Sequence, residues 1–162
     1  YDVDAEAAQR YRTEMEAQAA VEVIPVRQPR QAVSGCDVVV TAGPIVRPPH
    51  ATILKGWLEP GAFASLVDFD SYWDRPALHE CDKFCTDDSA QLEHYRTLGY
   101  FRDIPPIHAE LGEMLAARAP GRERAEERTL ACNLGVALAD VATARLIYDR
   151  AVSSGVGRWL PL

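Results

Sequence analysis

Asp68 and Asp70 flank Phe69 at the end of the run Pro60-Gly61-Ala62-Phe63-Ala64-Ser65-Leu66-Val67. A turn that feeds a short apolar run reads as a strand buried in a parallel sheet. In open α/β sheets the carboxyl ends of the strands face the ligand crevice. Asp70 therefore sits where a carboxylate could relay protons for a substrate amine, provided its environment tunes its pKa. Asp2 closes a second strand tail, Tyr1-Asp2-Val3, where an acid can bond both hydroxyls of an adenosine ribose. Such an acid repels a 2′-phosphate and favours NAD over NADP. Gly43 follows the strand Asp37–Thr41, where the lack of a side chain lets backbone come close to a ligand. Asn133 stands just before a long helix, either as its N-cap or facing the nicotinamide end of a cofactor. His79, Cys81 and Cys85 invite a metal reading, but their spacing matches no common zinc pattern and no fourth ligand is near. No metal is expected.

These residues need elements to place them. Asp4 reads as the N-cap of a helix whose face carries Ala8, Tyr11, Met15 and Ala19. Residues 21–26 are β-rich and predict a strand. Residues 28–34 predict a helical turn closed by Gly35. Residues 37–41 form a triple-valine strand, followed by a proline-rich loop over 45–50. Residues 52–58 predict a short helix, and 62–67 the strand that leads to Asp70. A helix is expected over 75–80, a strand over 83–86, and a helix capped by Asp88 or Ser89 and stopped by Gly99. Further helices are expected over 107–117 and 135–152, with a strand over 128–132 between them. Tyr72, Trp73, Tyr95, Tyr100 and Phe101 read as core aromatics. Strands that alternate with helices argue for an α/β fold, a Rossmann-like parallel sheet with helices on both faces. The pattern begins in the middle: the first strand and the glycine-rich phosphate loop of a dinucleotide fold are absent from this chain.

The bulk composition agrees. The 162 residues suffice for one domain with its own core, 48% of them are apolar, and the net charge is −7. An acidic chain without a basic cluster repels phosphate backbones, so no nucleic-acid partner is expected. No apolar run spans a bilayer and no basic-then-apolar leader is present, so no membrane association and a cytoplasmic location are expected. The four cysteines then read as reduced thiols. The opening Tyr1 is not an initiator residue and reads as the start of a piece of a longer polypeptide.

Four runs occur in an order that resembles the ornithine cyclodeaminase/mu-crystallin family. They are Gly35-Cys36-Asp37-Val38-Val39-Val40-Thr41-Ala42-Gly43; Leu58-Glu59-Pro60-Gly61-Ala62 leading to Asp70; Pro120-Gly121-Arg122 followed by residues 133–140, Asn-Leu-Gly-Val-Ala-Leu-Ala-Asp; and the closing residues 155–162. The resemblance covers essentially the whole chain. It implies a partial Rossmann NAD(P)-binding domain over 1–153 and a tail over 154–162 directed toward a dimerisation domain. It implies that Asp2 holds the adenosine ribose, that Gly43, Asn133 and the strand Ala64-Ser65-Leu66-Val67 lie against the cofactor, that Leu134 touches substrate, and that Asp70 is both the catalytic aspartate and a substrate contact. It further implies a small amino-acid or imine substrate and a homodimer formed through an N-terminal half that this chain does not contain. The family's substrate-binding lysine and arginine belong to that half. The reading that follows is NAD-dependent deamination of an amino acid: hydride leaves the α-carbon, an imine forms, and cyclisation or hydrolysis completes the reaction. The alternatives are an NAD(P)H-dependent cyclic imine or ketimine reductase, a nucleotide-binding protein without turnover, and a structural partner whose site has decayed. Asp68 and Phe69 replace small residues of the family pattern, and the charge of Asp68 is expected to raise the pKa of Asp70.

Overall fold

Five four-residue runs pair side by side because each can bury side chains and satisfy its backbone only against a neighbour. In the computed structural model, which describes residues 1–160, these are β1 (Val38–Thr41), β2 (Phe63–Leu66), β3 (Lys83–Thr86), β4 (Ile107–Glu110) and β5 (Thr129–Cys132). All neighbouring strands are parallel, in the order β1-β2-β5-β3-β4. The crossovers carry helices α1 (Ala5–Ala19, before β1), α2 (Arg75–Leu78), α3 (Ser89–Thr97) and α4 (Leu111–Leu115), with α5 (Ala137–Ser153) after the last strand. This is the expected Rossmann-like α/β architecture. Pro161 and Leu162, the end of the expected tail, lie outside the described residues.

The register explains where the core sits. Val39, Ala64, Leu130 and Phe84 lie level across four strands, and Leu66 and Cys132 follow one pleat further on. All six are at most 4% exposed. Leu58, Phe69, Trp73, Leu78, Leu92 and Phe101 pack into the same cluster. On the opposite face Val38 and Val40 of β1 are 59% and 60% exposed, and the outer edge of β1 pairs with no other described strand. Helices α1 and α5 bury no residue.

Several local expectations yield to these long-range demands. Residues 1–3 and 21–26 form no strand. Their β-rich composition finds no neighbouring strand to pair with, and an isolated strand leaves its backbone groups unmet. Residues 52–58 are not helical; Ile53 instead bridges to Trp73 and ties this loop beside the Asp70 turn. The helix expected over 107–117 is divided. Ile107–Glu110 joins β3 as an edge strand with Ala109 buried, and the helix starts only at Leu111, behind a capping box formed by Glu110 and Glu113. The turn over 28–34 shrinks to a 3₁₀ turn over Pro29–Ala32. Asp4 and Asp88 cap α1 and α3 through carboxylates on the Glu6 and Gln91 backbone N–H groups.

Candidate functional site

Parallel pairing aligns the carboxyl ends of β1, β2 and β5 along one crest. The ladder continues past the strands: Val67 N–H donates to the Thr41 carbonyl at 2.9 Å, and Asn133 N–H to the Leu66 carbonyl at 2.8 Å. Thr41, Val67 and Asn133 therefore stand next to one another. Pleating sorts the side chains. Ala64 and Leu66 are fully buried in the core, so only their backbone can face a ligand, whereas Val67 is 52% exposed and Ser65 is half-buried on the other face.

Asn133 is not the helix cap. Helix α5 begins at Ala137 with Val136 at its N-cap position, while the Asn133 amide donates to the Ser65 hydroxyl at 2.9 Å. This bond joins β2 and β5 at their ends. Leu134 and Gly135 donate their backbone N–H groups to the two carboxylate oxygens of Asp87, at 3.1 and 2.8 Å. Asp87 was not singled out from the sequence, although it follows the strand Lys83–Thr86 just as Asp70 follows its own strand. Leu134 is half-buried and packs on the core cluster.

The tripeptide Asp68-Phe69-Asp70 splits into three roles. Asp68 is 1% exposed, accepts the Thr41 hydroxyl at 2.6 Å and accepts the Gly43 N–H at 2.9 Å. The Trp73 indole N–H donates to the same Thr41 oxygen at 3.3 Å. Phe69 adopts a left-handed backbone, φ 61°, and its ring lies 4.9 Å from those of Tyr95 and Phe101 and 5.5 Å from that of Tyr100. The turn brings Asp70 to 7% exposure, and its Oδ1 is buried with no hydrogen-bond partner. Burial pushes the Asp70 carboxyl above its ordinary range, against the pull of backbone N–H groups at Asp70 and Phe101 and of the Arg75 charge. The direction is the one expected from sequence, but the cause is not: desolvation raises it, and Asp68 is occupied by Thr41 and Gly43.

The group that lies close to Gly43 in the structure is a side chain of this protein. A Cβ there would lie 2.5 Å from Cε2 of Tyr72, whose hydroxyl donates to the Pro44 carbonyl. Asp2 makes its one side-chain bond among the described residues locally. It is exposed, and its carboxylate accepts the Asp4 N–H at 2.8 Å at the start of α1.

The four thiols are unpaired, and burial pushes Cys81 up to about 12 and raises Cys85 and Cys132, so none is poised as a nucleophile among these three. Among the described residues no group of three His, Cys, Asp or Glu side chains is placed to hold a metal, and no helix is long and apolar enough to cross a membrane.

The crest brings polar and apolar groups side by side. The Ser65–Asn133 pair offers fixed polar groups, Val67 offers an exposed apolar contact, and Asp70 carries a buried oxygen that no other group satisfies.

Comparison with known proteins follows the same line. Residues 1–155 match the family model for the ornithine cyclodeaminase/mu-crystallin family. The chain is 30% identical to the alanine dehydrogenase of Archaeoglobus fulgidus over 97% of its own length and 49% of that protein's. It is 28% identical to a Delta(1)-pyrroline-2-carboxylate reductase of Bacillus cereus over 81% of this chain and 42% of the relative. Among solved structures, the Thermococcus litoralis Delta(1)-pyrroline-2-carboxylate reductase in complex with NADH and L-proline superposes with a TM-score of 0.81 at 26% identity, covering 99% of this chain and 51% of that one. An archaeal alanine dehydrogenase dimer with bound NAD gives a TM-score of 0.77 at 26% identity, over 100% and 51% of the two chains. The chain thus spans about half the length of the relatives it matches.

Proposed function

Since the chain belongs to the ornithine cyclodeaminase/mu-crystallin family, we propose that it forms the nucleotide-binding half of an NAD-dependent enzyme that acts on the Cα–N bond of an amino acid or of its imine. The observation that carries this reading is Asp70: a buried carboxylate with an unpartnered oxygen, raised in pKa, one turn beyond the central crest. A carboxylate in that condition takes or gives protons near neutral pH more readily than a solvated one.

Residues 1–153 serve as the nucleotide-binding domain, and residues 154–162 lead toward a dimerisation region elsewhere in the polypeptide. Asp2 receives the adenosine ribose and favours NAD. Gly43, Asn133 and the backbone of Ala64-Ser65-Leu66-Val67 flank the nicotinamide. Bound there, the nicotinamide supplies the acceptor for a hydride from the substrate α-carbon. Asp70 removes the proton from the substrate amine or from the water or distal amine that adds to the resulting imine. Leu134, fixed through its N–H on Asp87, presents its apolar side chain to the substrate. Asp68 holds the Thr41–Gly43 corner and thereby the neighbouring wall of the site. The assembled protein is a cytoplasmic homodimer.

The same residues serve the reductive direction if Asp70 delivers its proton to an imine, and the relatives include both dehydrogenases and reductases. The complete polypeptide, titrated with NAD and then given amino acids, separates the outcomes. Net NADH identifies a dehydrogenase. Proline formed from ornithine without net NADH identifies a cyclodeaminase. Consumption of NADH with a cyclic imine alone identifies a reductase. Failure to bind NAD(H) or NADP(H) excludes all three.

A further inference from the structure

Asp70 lines a cleft of about 560 Å³ whose charged rim includes Arg47, Arg75 and Arg102. The walls are joined to the Asp70 turn by backbone bonds. His50 N–H donates to the Ser71 carbonyl at 2.7 Å, Thr52 and Ile53 N–H groups donate to the Tyr72 carbonyl, and Val46 N–H donates to the buried Ser71 hydroxyl at 3.1 Å. The loop that carries Arg47 is therefore fixed relative to Asp70.

The three arginines are not equivalent. Arg75 pairs with Asp103 at 3.6 Å, and Asp103 also takes His79 at 2.9 Å, so that acid is fully engaged. Arg47 and Arg102 have no acidic partner among the described residues. Arg47 is held in place by the Leu98 carbonyl and lies over the Tyr100 ring, 5.4 Å from its centroid. Both guanidinium groups converge above Gly99: a Cβ there would lie 3.0 Å from Nη2 of Arg102 and 3.4 Å from Nη1 of Arg47. Two like charges held this close repel one another until an anion lies between them. Planar guanidinium forks suit a carboxylate for this purpose. Two further acids line the cleft, Asp74 and Asp103, so the cleft as a whole is charge-balanced and an anion is called for only at the Arg47–Arg102 end. Arg75 is the arginine whose charge reaches Asp70. The Arg47–Arg102 pair lines the same cleft, along which the side chain of a substrate reacting beside Asp70 would extend.

We infer that Arg47 and Arg102 form a subsite for a second carboxylate of the substrate, so that the enzyme acts on an acidic amino acid or its imine in preference to a diamine. This rests on the reading of Asp70 as the reacting end of the cleft. Trp73, buried against the cleft, provides a fluorescence reporter.

The test uses the complete polypeptide and the isosteric pairs L-glutamate with L-glutamine and L-aspartate with L-asparagine, which differ in one charge. Binding is measured by calorimetry and by Trp73 fluorescence. In at least one pair the acid is expected to bind about tenfold tighter or more, the scale of one charge-assisted hydrogen bond. Arg47→Gln and Arg102→Gln should each reduce that ratio to about threefold or less, and Arg102→Lys should restore part of it, with circular dichroism confirming that each variant is folded. Equal binding within both pairs overturns the inference, as does selectivity that survives both glutamine variants. Hydride transfer to NAD is followed separately. Selective binding without hydride transfer removes the dehydrogenase reading and leaves the carboxylate subsite standing.

Discussion

Asp68 accepts the backbone N–H of Gly43 at 2.9 Å across twenty-five residues of chain, and with its other oxygen it holds Thr41. Asp68 is thus a brace between the ends of β1 and β2, not a stray charge beside Asp70. Replacement by alanine leaves the Gly43 N–H and the Thr41 hydroxyl without their partner, and Asp68→Ala should cost about 2–4 kcal/mol. Asp68→Asn keeps an acceptor for Gly43 and should retain more than half of that stability. Urea denaturation of the two variants against the parent measures the difference.

Asp70 couples activity to stability in opposite senses. Its folded-state pKa is raised above 3.8, so ionisation favours the unfolded chain. Stability falls as pH rises from 3.8 through the folded value and stays lower at neutral pH. Asp70→Asn should therefore raise the thermal midpoint at pH 7 while lowering turnover about 10²–10⁴-fold. A variant with full turnover removes Asp70 from the chemistry. A variant with a lowered midpoint shows that the ionised carboxylate is satisfied in the folded protein.

Phe69 carries a ring that packs on three aromatics and a backbone in the left-handed region. Phe69→Ala should cost about 3–5 kcal/mol through the lost packing. Phe69→Gly loses the same ring but adopts φ 61° without steric cost, so it should be no less stable than the alanine variant, and by up to about 1 kcal/mol more stable. Helix and strand interiors show the reverse order, which makes the midpoint difference between these two variants a direct measure of strain at this position.

Much of this was legible in the chain. Four of the five runs that form strands were placed within a residue or two; the fifth, Ile-His-Ala-Glu of β4, is neither apolar nor followed by a turn residue. Asp70 was found because an acid that ends a buried strand is unusual; the same signal is present at Asp87, which the sequence reading passed over. The misses share one cause. Residues 21–26 have strand composition but no partner, Ile107–Glu110 has helical company but a partner in β3, and 52–58 is tied down by Tyr72 and Trp73. Pairing partners far along the chain decided each case, and local pattern carries no record of them. The Arg47–Arg102 pair was invisible for the same reason, since two loops fifty-five residues apart bring it together.

Glu127, buried beside Lys83, anchors the amino end of the sheet. The Glu123 backbone N–H, at 2.9 Å, holds its carboxyl below the usual 4.5, assisted by Lys83 and Arg124. Its contribution is present above pH 4.5 and is lost as pH falls through the lower folded value. Glu127→Gln should lower stability at neutral pH and flatten the acid limb of the stability curve. Thermal midpoints recorded from pH 7 to pH 3 on both proteins reveal whether the two curves converge at the acid end, as this account requires.

The strand order β1-β2-β5-β3-β4 has a temporal consequence. Strand β5, the last of these five in chain order, lies in the middle and pairs with both β2 and β3. Until Thr129–Cys132 has left the ribosome, the β1–β2 and β3–β4 pairs share no ladder, and each keeps an unpaired edge. These five strands therefore become one sheet only when β5 closes the gap at the centre, and the crest that carries Asn133 exists only from that moment. During synthesis the nascent chain passes through a period in which both halves of the sheet are open to association with other chains.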